Sequence, residues 1–218
     1  MNTKTWGHTT EHTDSLTLIG GPARVGKTTV ARRWATTRSV ELVHLDHLLH
    51  AVAAVAAGDT LTALRKAPSI ATHTPKQWLS ELRCRDAALW TAAKAYTTAT
   101  HDELLLEGGL WPDWVRTLER DHTAIFIIDT ADDTADRLVN ITRTDPRNWM
   151  AQRRWPEEKV RKWASYNRFR SLAIADLAAR HGYPVFDIAT GIDNAQDQAL
   201  RYLTTTPDTN SPRHRDAK

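Results

Sequence analysis

The chain has one cysteine in 218 residues, Cys84, which excludes an internal disulfide framework. No apolar run approaches the roughly 20 residues that a helix needs to cross a bilayer, so no membrane partner is expected. Residues 1–14 lack the apolar stretch of an export signal, and the expected location is cytoplasmic. Charge of one sign is missing too: 29 basic and 26 acidic side chains are interspersed, leaving a net charge of +3. That balance suits small anionic ligands, and no nucleic-acid partner is expected. The ten histidines show no convincing ligand spacing. His44, His47 and His50 recur regularly, but beside Asp46 they read no better as a metal site than as a strand-to-helix turn. Internal repeats are absent. The length suits one domain, able to bury roughly 70% of its unfolded surface, as a monomer or homodimer.

Against these absences stands Gly21-Pro22-Ala23-Arg24-Val25-Gly26-Lys27-Thr28, a complete G-x-x-x-x-G-K-T loop. Apolar residues 16–19 lead into it and residues 29–34 leave it with helical spacing, the strand–loop–helix context that makes the motif credible. Its glycines let the backbone curl so that N–H groups point at a phosphate, and the helix N-terminus adds partial positive charge. Gly21, Pro22, Ala23, Arg24, Val25, Gly26 and Thr29 are therefore candidate nucleotide contacts. Lys27 is expected to reach the β- and γ-phosphates, and the Thr28 hydroxyl to hold Mg²⁺. Without a ligand the Lys27 ammonium is expected to lie in solvent.

Strands are predicted at 15–20, 40–45, 103–107, 123–129 and 184–188, and helices at 28–37, 112–120, 131–141, 156–181 and 194–203. Residues 47–100 read as helical, interrupted at Gly58 and at 68–75. There Thr74 is a good N-cap with Pro75 after it, and Trp78, Leu82, Leu89, Ala93 and Tyr96 follow at helical spacing. Short apolar strands separated by helices imply a parallel sheet covered on both faces. Residues 143–155 carry Arg143, Arg147, Arg153 and Arg154 against one acid, Asp145, and are bracketed by Pro146 and Pro156. Such a segment is too polar for a strand and too proline-interrupted for one helix. Residues 1–14 and 204–218 are expected to be a disordered arm and tail.

Over residues 15–203 the chain resembles the small P-loop kinases of the adenylate, shikimate and gluconate kinase type. The residues that carry the resemblance are the loop Gly21 to Thr28, Asp46 closing the second strand, and Glu107-Gly108-Gly109 closing the third. Arg137 and Arg143, entering the arginine-rich segment, and Ile188-Ala189-Thr190-Gly191 complete the set. The resemblance implies a three-layer α/β/α fold with a five-stranded parallel sheet in the order 2-3-1-4-5. It also implies ATP and Mg²⁺ as cofactors, an acceptor-binding region at 47–100, and a lid at 143–156 that closes over ATP.

Individual residues divide between roles. Asp46, just beyond a strand beside the loop strand, is a candidate to orient or deprotonate an acceptor hydroxyl, with an ordinary helix N-cap as the plain alternative. Glu107 ends an apolar triplet and is a candidate for Mg²⁺ or the acceptor. Asp129 reads as helix capping. Arg143 and Arg147 are candidate ATP or transition-state contacts, and Arg153 and Arg154 follow them. Val160, Trp163, Asn167, Arg170, Ile174 and Leu177 fall on one helical stripe, so a buried Arg170 needs an anionic partner, either a substrate group or a structural acid. Trp111 and Trp114 follow Glu107-Gly108-Gly109 and stand either at the rim of an acceptor pocket or in the core. The favoured function is ATP-dependent transfer of a phosphoryl group to a hydroxyl or phosphate of a small molecule. A toxin- or antibiotic-resistance-type phosphotransferase and a regulatory ATPase without an acceptor are the alternatives. A guanine-specifying Asn-Lys-x-Asp element is absent.

Overall fold

The apolar runs at the centre of the chain become strands buried on both faces: β1 (Leu16–Gly20), β3 (Leu104–Gly108) and β4 (His122–Ile128). These segments are mainly apolar, with Thr17, His122 and Thr123 also buried among them, because helices cover them from both sides. The shorter β2 (Glu41–His44) and β5 (Val185–Asp187) are half-exposed and form the two edges. In this computed structural model, which describes residues 15–65, 67–100 and 102–205, the strands pair in parallel in the order β2-β3-β1-β4-β5. The order and layers are those expected. Expectations for residues 1–14 and 206–218 lie outside the described residues, whereas Thr204 and Thr205, expected in the tail, end the last helix.

Two cores fill the layers. Leu16 and Leu18 of β1 face one side, with Leu104, Leu106 and Phe126; Ile19 faces the other, with Leu105, Ile125 and Ile127. The second side is closed by α1 (Lys27–Ala35), whose Val30, Ala31 and Trp34 are buried, and by the last helix, Ile192–Thr205. The first side is closed by three helices between β2 and β3, namely α2 (Leu45–Val55), α3 (Gly58–Arg65) and α4 (Pro75–Ala99). The long helix before β5, Glu157–His181, completes that side. The N-terminus of α4 is fixed by a capping box between Thr74 and Gln77, with a proline in the first turn. Thr97 is buried near its C-terminus, whereas Tyr96 sends its hydroxyl out to Glu41 at 2.5 Å.

Between β3 and β5 run α5 (Pro112–Val115), α6 (Thr134–Thr144), α7 (Trp149–Gln152) and α8 (Glu157–His181). A 3₁₀ turn, Ile188–Thr190, leads into α9 (Ile192–Thr205). The arginine-rich segment therefore contains a four-residue helix, capped by the Asn148 side chain accepting from the Met150 N–H. Gly182 ends α8 in the left-handed conformation at φ 72°.

Candidate active site

The loop after β1 is shaped by positions that only glycine tolerates. Gly21 has φ 141° and any Cβ there would run into the Ile127 carbonyl; Gly26 has φ 88° and a Cβ would meet the Gln196 amide. Gly26 is also the residue preceding α1, and no side chain caps that helix. The first N–H groups of α1 are thus left for an anion. Asn167 of α8 clamps the loop from outside, its Nδ2 donating to the Ala23 carbonyl at 2.9 Å.

Lys27 does not lie in solvent as expected. Its Nζ donates to the Pro22 carbonyl at 2.6 Å, folding the ammonium back across its own loop. Burial there lowers its pKa from 10.5 to about 8, with Glu107 and Asp46 opposing the shift and Arg170 reinforcing it. Phosphates replacing the carbonyl would restore the charge. We therefore expect ATP binding to be accompanied by proton uptake at pH 8–9, since the free lysine has a pKa of about 8 and a phosphate-bound one a higher value. Calorimetry in buffers of different ionisation enthalpy measures this directly, and zero uptake across that window would contradict the assignment.

Sheet register brings a second group to the same edge. Ile19 pairs with Glu107 on one side of β3 and His44 pairs with Glu107 on the other. The buried Glu107 carboxylate accepts from the Thr28 hydroxyl at 2.9 Å, and its Oε1 lies 2.5 Å from His44 Nδ1. The two expected metal residues, Thr28 and Glu107, therefore meet. Both are hard oxygen donors, the type that suits Mg²⁺. Among the described residues no three His, Cys, Asp or Glu side chains gather into a self-sufficient metal cage. The donor set fits an ion that a nucleotide would help to hold.

Beyond this edge opens a cavity of about 450 Å³, bounded by the loop residue Ala23, the helices α2, α4 and α8, and the turn at Gly109. Asp46 lines it from the first turn of α2. The position before that helix is His44, so Asp46 is not an N-cap, and its exposed carboxylate makes no hydrogen bond among the described residues. On the cavity floor Arg170, 8% exposed, donates to Asp86 Oδ2 at 3.1 Å and to the Gly109 carbonyl at 3.3 Å. Trp111 Nε1 also donates to Asp86 at 3.0 Å, and the Arg170 guanidinium lies over the Trp111 ring. The anionic partner required by Arg170 is thus a structural acid. Burial pushes the Arg170 pKa down and that of Asp86 up, each opposed by the other's charge. Arg170 Nε is buried without a partner. Trp111 is fully buried, whereas Trp114 lines the cavity.

Solved structures with this arrangement of strands and helices exist. A shikimate kinase from Bacteroides thetaiotaomicron matches over 87% of this chain and 98% of its own, at 12% identity and a TM-score of 0.52. A shikimate kinase from Acinetobacter baumannii, in complex with shikimate, matches over 89% and 96%, at 15% identity and a TM-score of 0.51. The chain has the fold of the small-molecule P-loop kinases. A gluconokinase from Sinorhizobium meliloti shares this kinase fold over 88% of this chain and 92% of its own, at 10% identity and a TM-score of 0.52. No family model and no curated protein matches the sequence.

Relative to this kinase fold, the arginine-rich segment divides in two. Arg143 pairs with Glu157, the first residue of α8, and Arg147 pairs with Asp145 at 3.4 Å. Both arginines are exposed and neither lines the cavity. The sequence pattern suggested a segment short of acids because Glu157 lies just past its end. Arg153, Trp149 and Trp155 do line the cavity. The segment therefore forms part of the cavity wall. Arg137 is held at Asp129 by contacts of 2.8 and 2.9 Å, and Asp129 also accepts from the Ala131 N–H; because α6 begins only at Thr134, preceded by Asp133, Asp129 braces the loop and does not cap the helix as expected. Among the described residues no helix is long and apolar enough to cross a membrane.

His44 and Asp86 were not singled out as site residues, although both stand in the centre of this geometry. The signal for His44 was its place as the last residue of β2, level with Glu107. Asp86 carried none, because its partner is 84 positions away. Replacing Asp86 by alanine would leave the buried Arg170 charge with only the Gly109 carbonyl. A stability loss of about 3 kcal/mol is expected, measured by urea denaturation. A loss below about 0.5 kcal/mol, the level of ordinary surface substitutions, would show that the pair is not structurally coupled.

Proposed function

We propose that this chain is an ATP-dependent phosphotransferase that moves the γ-phosphoryl group of ATP to a hydroxyl of a small molecule. The observation that carries the reading is the meeting, at one sheet edge, of a phosphate loop and a separate cavity with an unpaired carboxylate. Lys27, Thr28 and Glu107 stand on the loop side, and Asp46 on the cavity side. Their charges are mutually felt, since both Asp46 and Glu107 bear on Lys27.

In this reading the backbone of residues 21–29 cradles the phosphates, and Lys27 leaves the Pro22 carbonyl for the β- and γ-phosphates. Thr28 and Glu107 would hold Mg²⁺, which when bound neutralises charge on the transferring group. Asp46 takes the proton of the acceptor hydroxyl as its oxygen bonds to the γ-phosphorus. Arg170 is positioned by Asp86 to hold positive potential at the cavity floor. Arg143 and Arg147, whose present partners are exposed acids, are free to exchange them for phosphate oxygens when residues 143–156 close. Residues 47–100 supply nearly half of the acceptor wall.

Acceptor-dependent ADP release, screened over hydroxylated small molecules, tests the proposal. At least one compound should raise ADP release above the rate with ATP alone. A constant rate in the presence of every compound that binds would favour a regulatory ATPase.

A further inference from the structure

The cavity has an unusual wall for a polyol. Of nine tryptophans in the chain, six line it: Trp78, Trp90, Trp114, Trp149, Trp155 and Trp163. They come from α4, α5, the segment 143–156 and α8, so no single helix periodicity accounts for their convergence. Trp90 and Trp114 stack with ring centroids 6.5 Å apart and packed against the main core form one side. Trp149 packs edge-on against both Trp155, at 4.8 Å, and Trp163, at 5.8 Å, to form the other. The two sides belong to different apolar clusters, and the space between them is the cavity.

A molecule with hydroxyls all round its ring would lose hydration wherever it met the indole and leucine faces of this wall, an unfavourable exchange over that part of the space. A flat aromatic body suits it, because offset or edge-on contacts add about 0.5–1.5 kcal/mol per pair beyond the area buried. The volume of about 450 Å³ lies in the range of sites for drug-sized ligands. Charge narrows the class further. The wall carries Arg85, Arg153, Lys159 and Arg170 against Asp46 and Asp86. Lys159 and Arg153 already sit over the faces of Trp155 and Trp149, at 4.3 and 5.3 Å. A polycation would be repelled, whereas a neutral or carboxylate-bearing ligand would not.

We infer that the phosphoryl acceptor is a hydroxylated aromatic compound, neutral or anionic, whose ring system lies between the two tryptophan walls and whose hydroxyl reaches Asp46. This rests on the phosphotransferase reading above. In the reaction the acceptor O–H bond breaks, its proton passes to Asp46, and the oxygen bonds to the γ-phosphorus. The bond from that phosphorus to the β–γ bridging oxygen breaks, and ADP and an aryl or arylalkyl phosphate monoester leave.

Binding and turnover are measured separately. Calorimetry on the full chain titrates naphthylethanol, hydroxynaphthoate and tyrosol as aromatic probes, shikimate and gluconate as polyols, and kanamycin as a polycation. The same compounds are then assayed for ADP release. Aromatic probes are expected to bind at least ten-fold more tightly than the polyols, with kanamycin not binding. Trp114→Leu and Trp163→Leu should each weaken the aromatic probes about ten-fold, with ATP affinity retained as the control for folding. Turnover of shikimate or gluconate with no binding of the aromatic probes would overturn the inference and leave the phosphotransferase intact. Tight aromatic binding without phosphate transfer to any bound hydroxyl would support the aromatic site and count against phosphotransfer. Unchanged aromatic affinity in both variants would overturn the inference whatever the activity.

Discussion

Replacing Lys27 by alanine is expected to lower acceptor-dependent ATP turnover by about 10²–10³-fold, the cost of removing one preorganised electrostatic contact to a charge that develops in the transition state. The folded state should survive, because the only side-chain hydrogen bond lost is the one to the Pro22 carbonyl of its own loop. Removing the ammonium also removes a charge that burial disfavours, so stability should not fall. Steady-state kinetics with ATP in excess, beside a thermal melt, separates the two effects. Turnover within a factor of about three of the unmodified chain, well below that electrostatic cost, would show that this loop is not the nucleotide site.

Asp46→Asn is expected to reduce kcat by about 10²–10⁴-fold with ATP affinity nearly unchanged, which is the contribution of a positioned general base. The geometry favours a role toward the acceptor. Asp46 lines the cavity and makes no hydrogen bond to Thr28 or Glu107, which face each other at 2.9 Å on the loop side. The helix-cap alternative is removed, since Asp46 lies within the first turn of α2 and His44 holds the position before the helix. An equal loss of ATP binding would move Asp46 to the metal. Unchanged turnover would leave the carboxylate without a part in the reaction.

Much of the fold was legible because its signals are local. Apolar runs at 104–106 and 125–128, the loop glycines and the Thr74-Pro75 helix start each act within a few residues of themselves, and each produced the element expected. The place of Glu107 was legible for the same reason, as an acid closing a strand buried on both faces. What the sequence could not show is pairing across the fold. Asp86 meets Arg170 from 84 positions away, and His44 meets Glu107 only through the register of β2 on β3. The tryptophans are the clearest instance. Spread over 86 positions between Trp78 and Trp163, they carried no joint signal, Trp114 alone being a candidate for a pocket rim, and only the meeting of α4, α5, the segment 143–156 and α8 gathers them around one space. The arginine segment failed in a different way: counting acids inside residues 143–155 missed Glu157, two residues beyond, which holds Arg143.

The most direct measurement of the central claim is where the γ-phosphate goes. Phosphorus NMR of the chain with ATP, Mg²⁺ and an aromatic hydroxyl compound that binds in calorimetry should show a phosphate-ester signal growing in step with ADP, and absent in Lys27→Ala. Release of the γ-phosphate solely as inorganic phosphate, at the same rate with and without that compound, would contradict it.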